Sequence, residues 1–317
     1  MAPPKTRAAF STEGHGRAGM GFRTRILGAA AGGGLPQWNC GCGNCRRARA
    51  GELPSLTQSS LAVTADGKEW AVLNASPDLR VQLAACPALA PTGPREVPLA
   101  SVLVTNGDID HVAGLLSLRE MQPFTLFATA GIHEVLAASP VFAALNPDVV
   151  RRESVALDVP FDLVAGLRAT IFAVPGKVPL YLEGDVVETQ AIGEQTVGVR
   201  LDAGGRTAFY IPGCAALTTD LAARVDGADL LLFDGTLWTD DEMIRLGLGR
   251  KTGARMGHMA MSGPDGSIAA FAPLRIGRKV FVHMNNSNPV LDPDSPERTE
   301  AEAAGWIIGQ DGMEITP

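Results

Sequence analysis

The sequence predicts an α/β protein of the α+β kind, with two mixed β-sheets packed together and helices on the outside. Three observations predict it. Apolar runs of about four to eight residues recur between turn signals, as strands do. These runs come first in hairpin-like groups and then alternate with helical patterns, in both halves of the chain. That order fits two packed mixed sheets better than one doubly wound parallel sheet. No internal repeat and no long linker divides the chain, so residues 22–317 read as one domain.

In chain order, the strands expected in the first half are Thr24–Leu27, Ser59–Thr64, Glu69–Asn74, Ser101–Thr105 and Phe124–Ala128. The second half adds Arg168–Val174, Thr196–Leu201, Thr207–Ile211, Leu230–Asp234, Lys279–His283 and Gly312–Ile315. Several are rich in Val, Ile or Thr, which suit a pleated surface. Helical patterns lie between them at Pro77–Leu83, Val112–Glu120, Ile132–Ala138, Ala216–Val225, Asp240–Leu246, Asp265–Ala272 and Ser295–Ala304. Ser295-Pro296-Glu297 is an N-cap followed by proline in the first turn.

Composition excludes several classes. Hydrophobic residues make up 46% and charged residues 19% of the 317, a globular balance rather than a disordered one. The net charge of −7 and the 5% aromatic content argue against nucleic-acid binding, which needs basic surface and stacking platforms. No run approaches the length of a membrane helix, so membrane insertion is not expected. Residues 1–21 are polar and basic, with Lys5, Arg7 and Arg17 and no apolar core of a secretory signal. They read as a disordered tail, and Met20 is a candidate start residue. A cytoplasmic location is expected.

The five cysteines are Cys40, Cys42, Cys45, Cys86 and Cys214. An odd count with three in one short run suggests a reducing compartment rather than a disulfide framework. Cys40-Gly-Cys42-Gly-Asn-Cys45 is a C-x-C-x-x-C motif whose three thiolates can turn onto one soft cation. Gly41 and Gly43 are expected to relieve backbone crowding there. Structural zinc is the favoured occupant, and three small core or free thiols are the plainer alternative. The preceding run Gly28-Ala-Ala-Ala-Gly-Gly-Gly34 matches neither phosphate-loop pattern and reads as a tight turn into the cysteine motif.

Strand Ser101–Thr105 empties into Asn106-Gly-Asp108-Ile-Asp110-His111. Asp110 and His111 can present a carboxylate and an imidazole to one metal, or they can be an N-cap and a surface histidine. This loop resembles the H-x-H-x-D-H signature of the metallo-β-lactamase superfamily, with Asn106 and Asp108 replacing the leading histidines. From about Arg25 to Pro317 the chain further resembles one family within it, that of coenzyme PQQ synthesis protein B. The motifs are Leu27-Gly-Ala-Ala-Ala-Gly-Gly-Gly-Leu-Pro-Gln-Trp-Asn-Cys40, Asn74-Ala-Ser-Pro-Asp78, Ile109-Asp-His111, Gly114-Leu-Leu-Ser-Leu-Arg-Glu120, Asp234-Gly-Thr-Leu-Trp238, Met256-Gly-His258 and His283-Met-Asn-Asn-Ser-Asn-Pro289.

The resemblance implies a metallo-β-lactamase-like αββα sandwich with its site at the sheet edges. It implies a part in making pyrroloquinoline quinone (PQQ) from a precursor derived from Glu and Tyr. Other PQQ-synthesis proteins are further candidate partners. A dinuclear site of the superfamily uses four or five histidines and a bridging aspartate. Of the five histidines here, His15 lies in the tail and His133 is expected to be solvated at a helix start. The bridging position falls near Pro212-Gly-Cys214, and the mid-chain histidine position near Val174–Pro179, neither with a ligand of that kind.

The resemblance therefore leaves Asp110, His111 and His283 as ligands of one active-site metal; a satisfied core histidine is the alternative for His283. Two histidines and a carboxylate are the set of mononuclear Fe(II) oxygenases, and zinc can also occupy it. Gly257-His258 resembles the Gly-His motif of the tRNase Z branch, which pairs His258 with Asp234 as a catalytic dyad; a structural hydrogen-bonded pair is the alternative. Related phosphodiesterases place the fourth ligand of the cysteine zinc at the position of Asn286, a poor zinc ligand, with Asp292 or Asp294 as substitutes. Three functions follow: an iron-dependent oxygenase hydroxylating the tyrosine ring, a metal-dependent hydrolase, and a carrier or transport factor for PQQ or its precursor.

Overall fold

The computed structural model describes residues 21–178 and 191–317. The tail expected over residues 1–21 lies, but for Gly21, outside the described residues. One sheet is built from β1 (Arg23–Gly28), β2 (Ser60–Thr64), β3 (Trp70–Leu73), β4 (Leu99–Leu103), β5 (Phe124–Ala128) and β6 (Val150–Ser154). The other contains β7 (Phe161–Val164), β8 (Leu167–Ala173), β9 (Val197–Ala203), β10 (Arg206–Ile211), β11 (Leu230–Asp234), β12 (Arg278–Val282) and β13 (Trp306–Ile308). The last strand, β14 (Glu314–Ile315), returns to the first sheet beside β1. The orders are β14-β1-β2-β3-β4-β5-β6 and β13-β12-β11-β10-β9-β8-β7. Each sheet is antiparallel at one end and parallel at the other, from β3 to β6 and from β10 to β13.

The first sheet buries both faces, which is why its strands read as continuous apolar runs. Leu61, Val63, Ala71, Leu73 and Leu103 share a core with residues of the second sheet. Their neighbours Ala62, Val72, Val102 and Val104 point the other way, with Leu79 of α2 (Leu79–Ala85) and Ile132 and Leu136 of α4 (Ala130–Ala138). On the second sheet, Phe233 meets Phe271 of α8 (Ser267–Phe271), and Trp306 stacks on Phe281. Each such side chain contributes about 1.5–3 kcal/mol when fully buried. This is the expected αββα arrangement.

Three strands lack the expected signal: β6, β7 and β13. All three lie at sheet edges. Edge strands are short or charged, as Val-Arg-Arg-Glu-Ser of β6 shows, because an apolar edge invites pairing with other chains. The helix expected over Val112–Glu120 is instead α3 (Ile109–Val112) followed by 3₁₀ turns at Ala113–Leu118. Its N-cap position is Asp108, not Asp110. Gly114 explains the tight passage, since a Cβ there would lie 2.0 Å from the Ser76 carbonyl.

Candidate active site

The parallel ends of both sheets empty their strands toward one place. Strand β4 leads to Asp110 and His111, β11 ends on Asp234, and β12 leads to His283. Loops beyond the carboxyl ends of parallel strands are where α/β folds build sites. The two sheet ends are laced together there, because Val197 donates its N–H to the Thr105 carbonyl at 3.0 Å. His111 is placed by the Asn74-Ala-Ser-Pro motif: its carbonyl accepts the Ala75 N–H at 2.7 Å, and Asn74 Oδ1 accepts the Thr105 N–H at 2.9 Å. His283 is set in a left-handed conformation, with φ of 57°. Such backbone in a non-glycine residue persists only where its surroundings impose it.

Asp110, His111 and His283 converge, as expected, with one ligand atom from each within 4.8 Å of the others. His283 Nε2 lies 3.2 Å from Asp110 Oδ2, and His111 Nε2 lies 3.9 Å from the same oxygen. Thr236 fixes the tautomer of His283. Its hydroxyl donates to Asp234 Oδ1 at 2.6 Å and so accepts from His283 Nδ1 at 2.9 Å. The His283 Nε2 lone pair then faces a carboxylate oxygen, a contact that needs a cation or proton between the two. His111 is 1% exposed and neither ring nitrogen has a hydrogen-bond partner. An orphaned buried imidazole is costly unless something else binds it. The donor set therefore fits a metal ion.

The electrostatics agree. Burial pushes the Asp110 carboxyl up, but His111 and the His283 hydrogen bond outweigh it and hold it well below the usual carboxylate range. Burial lowers His111 and keeps it neutral, the form that binds metal. Burial also lowers His283, but Asp110 reverses this and raises it. The centre thus attracts positive charge.

Asp234 and His258 form the expected pair, with Nδ1 donating to Oδ2 at 2.6 Å. Asp234 is fully buried and also accepts the backbone N–H groups of Cys214 and Thr236, at 2.9 and 3.0 Å. Burial raises its carboxyl, but His258 overrides this and holds it low. The His258 ring stacks on His283 with centroids 5.3 Å apart, so Asp234, His258 and His283 also form a group able to hold an ion. Cys214 lies in the segment, Pro212–Cys214, near which the resemblance puts the bridging acid. It is buried, its thiol is pushed up to about 12 by burial, and it donates to the Ala216 carbonyl at 3.2 Å.

Asp110, His111, Thr236, His258 and His283 line a cavity of about 470 Å³ together with Lys177, Met243, Lys251, Met256 and Asn285. None of the five is given a role by the sequence, although Met256 and Asn285 stand in the quoted motifs and Lys177 in the segment where the superfamily's mid-chain histidine falls. Thr236 was missed too, but it sits two residues after Asp234, the spacing that brings its hydroxyl back to that carboxylate. Ala31 and Gly32 also line the cavity. The glycine-rich run is therefore more than a turn: Ala31 donates to the Met284 carbonyl at 2.8 Å, and a Cβ on Gly32 would lie 3.3 Å from Asp110 Oδ2.

The three cysteines gather as expected, with their sulfurs mutually within 4.8 Å. The motif is not a loop relieved by glycine. Cys45 belongs to helix α1 (Gly43–Arg49), capped by the Cys42 thiol, and a Cβ on Gly41 or Gly43 would meet nothing within 4 Å. Burial raises the Cys45 thiol to about 11, whereas Cys40 is lowered by the Cys42 N–H against its own burial. The Asn286 amide nitrogen lies 3.1, 3.5 and 3.2 Å from the sulfurs of Cys40, Cys42 and Cys45, where it can donate to them. Asp292 instead pairs with Arg47, and Asp294 does not join the cluster. His133 is not solvated: it is half-buried and its Nε2 meets the Glu153 carbonyl at 3.0 Å.

One segment, His283–Asn288, serves everything at once. His283 faces the histidine centre, Asn286 faces the cysteines, and Asn288 donates to the Gly235 carbonyl at 2.8 Å.

Residues 69–284 match the family model of the β-lactamase superfamily domain. The chain is 61% identical over 290 residues to coenzyme PQQ synthesis protein B of Ruegeria pomeroyi, covering 92% of this chain and 98% of that one. It is similar to the crystal structure of zinc-bound PqqB from Methylobacterium extorquens, with TM-score 0.92 and 54% identity over 93% of this chain and all of that one. A diphosphatase of the PhnP family shares the fold at TM-score 0.65 and 18% identity, over 93% of this chain and 96% of that one. Among the described residues no helix is long and apolar enough to cross a membrane.

Proposed function

The chain belongs to the coenzyme PQQ synthesis protein B family, within the β-lactamase superfamily, and from that premise we propose that it is an iron-dependent oxygenase in PQQ synthesis. Its substrate in this reading is the tyrosine-derived ring of a precursor made from Glu and Tyr. The observation that carries the reading is the ligand count. One carboxylate and two imidazoles converge, and the resemblance puts the bridging acid of a second ion near Pro212-Gly-Cys214, where the sequence has no carboxylate. That set with open positions is the one non-haem Fe(II) oxygenases use, and zinc can compete for it.

Asp110, His111 and His283 would hold the metal, which when bound as Fe(II) would supply oxygen-activating redox chemistry. The remaining work falls to this chain's own groups. Asp234 holds the Nδ1–H of His258 and leaves its Nε2 to accept a proton from the substrate. Lys177 and Lys251 line the same cavity and counter the carboxylates of an amino-acid-derived substrate. Hydroxylation balances as one oxygen atom entering the ring and one leaving as water, with two electrons from an external reductant. The cysteine cluster, away from this cavity, would hold a structural zinc, with Asn286 at its fourth position.

With Fe(II), a reductant and oxygen, the protein should consume oxygen and hydroxylate a tyrosine-like ring. Binding of the precursor without oxygen uptake would instead favour a carrier, and zinc-supported ester cleavage a hydrolase.

A further inference from the structure

We propose that Asn285 reads the substrate at this site by presenting its side-chain carbonyl to a hydrogen-bond donor on the substrate. Ser287 and Glu242 are the positioning residues that fix which way round its amide stands. The inference rests on the reading of the cavity as the site for an amino-acid-derived ring.

Asn285 lines the cavity two residues after His283, and its backbone N–H is anchored on the Thr236 carbonyl at 3.0 Å. An amide group has a donor side and an acceptor side, and its fixed neighbours decide which of them faces the ligand. Glu242 sits on α6 (Glu242–Arg245) and is 3% exposed. Its Oε2 accepts the Trp238 N–H at 2.7 Å, and its Oε1 accepts the Ser287 hydroxyl. A serine hydroxyl has one proton. Having given it to Glu242, Ser287 can only accept from Asn285, whose Nδ2 lies 2.5 Å away.

A second neighbour gives the same orientation independently. Asn285 Nδ2 lies 3.2 Å from Met243 Sδ, an atom that accepts and never donates. Both neighbours demand the nitrogen, so Oδ1 is left for the cavity. Lys177 and Lys251 bring donors to the same lining, while Asn285 brings a neutral acceptor apart from the acids of the metal centre. A tyrosine-like substrate offers two donors, its phenolic O–H and its ammonium group. A site built to accept from a donor rejects the analogue that lacks it, because its own carbonyl is left unpaired.

Three probes separate the two donors: L-tyrosine, L-phenylalanine without the phenol, and 3-(4-hydroxyphenyl)propionate without the ammonium. Their dissociation constants are measured on the purified full-length protein. The wild type should bind tyrosine at least about tenfold more tightly than one of the two analogues, and that analogue identifies the donor. Asn285→Leu should erase the difference. Glu242→Gln acts at a distance. Its amide oxygen must stay on the Trp238 N–H, so its nitrogen faces Ser287, whose hydroxyl then turns toward Asn285 and draws the carbonyl out of the cavity. Discrimination should fall several-fold while metal content is kept, which a merely structural role would not produce. An Asn285→Leu protein that discriminates as the wild type does, or a wild type that distinguishes tyrosine from neither analogue, overturns the proposal. Oxygen uptake is measured separately: its absence in a wild type that still discriminates sinks the oxygenase reading and leaves this one standing.

Discussion

His111 and His283 stand edge to face, ring centroids 5.3 Å apart, yet only His283 is held by hydrogen bonds. Both nitrogens of His111 are buried without a partner, a cost of roughly 1–3 kcal/mol to the metal-free fold. His111→Leu should therefore abolish metal binding at this centre while raising the stability of the metal-free protein by about 1 kcal/mol or more. Metal analysis and denaturant titration in chelator measure both. A variant that binds metal normally, or a metal-free form clearly less stable than the wild type, would remove His111 from the ligand set.

His283→Ala should also empty this centre and stop iron-dependent turnover, but without the gain in stability. It frees Thr236 of one partner and opens a space beside a fully buried Asp234. The cysteine zinc should remain at one equivalent. Retained iron-dependent turnover would contradict the assignment.

Asp234→Asn should keep the metal yet lower activity, since His258 loses the carboxylate that fixes its tautomer. Asn offers one acceptor atom where two carboxylate oxygens serve four donors, so a loss of about 1–3 kcal/mol of stability should accompany it. Loss of the metal instead would place Asp234 among the ligands.

Cys42→Ser should reduce zinc content by one equivalent and lower the melting temperature, because in the proposed site thiolate–zinc bonds would tie α1 to the segment around Asn286. Unchanged zinc and melting temperature would mean that the three thiols are simply packed together.

Asp311 makes a pH-dependent clasp. It accepts the N–H groups of Ala29 and Thr57 at 2.9 and 2.7 Å, and burial raises its carboxyl above the ordinary value. The folded state holds this proton more tightly than the unfolded chain does. Its stabilising effect is complete below the unfolded pKa and is lost as pH rises through the raised folded value. Asp311→Asn should flatten that decline, which begins above the ordinary carboxylate pKa of about 4, in urea titrations. An unaltered slope would show that Asp311 does not titrate there.

The central strands were legible because each is apolar on both faces: Phe124–Ala128 and Leu230–Asp234 have the boundaries expected from the sequence. The edges were not, since a strand such as β6 is written in Arg, Glu and Ser, like a loop. At the site, Asp110, His111, Asp234, His258 and His283 stood out because the motifs around them are distinctive and resemble those of a known family. Thr236 and Asn285 were hidden for the opposite reason: a threonine or asparagine acquires a role only through what lies opposite it. The role of Gly32 was likewise invisible, because what matters there is an oxygen of Asp110, 78 positions further along the chain.

The run from His283 to Asn288 is a ruler between two centres. With His283 fixed at one and Asn286 at the other, the three-residue step leaves no slack. A residue inserted between them would put both out of register together. Evolutionary tinkering with length is therefore closed to this segment, and divergence there must proceed by exchanging side chains on a spacing that cannot change.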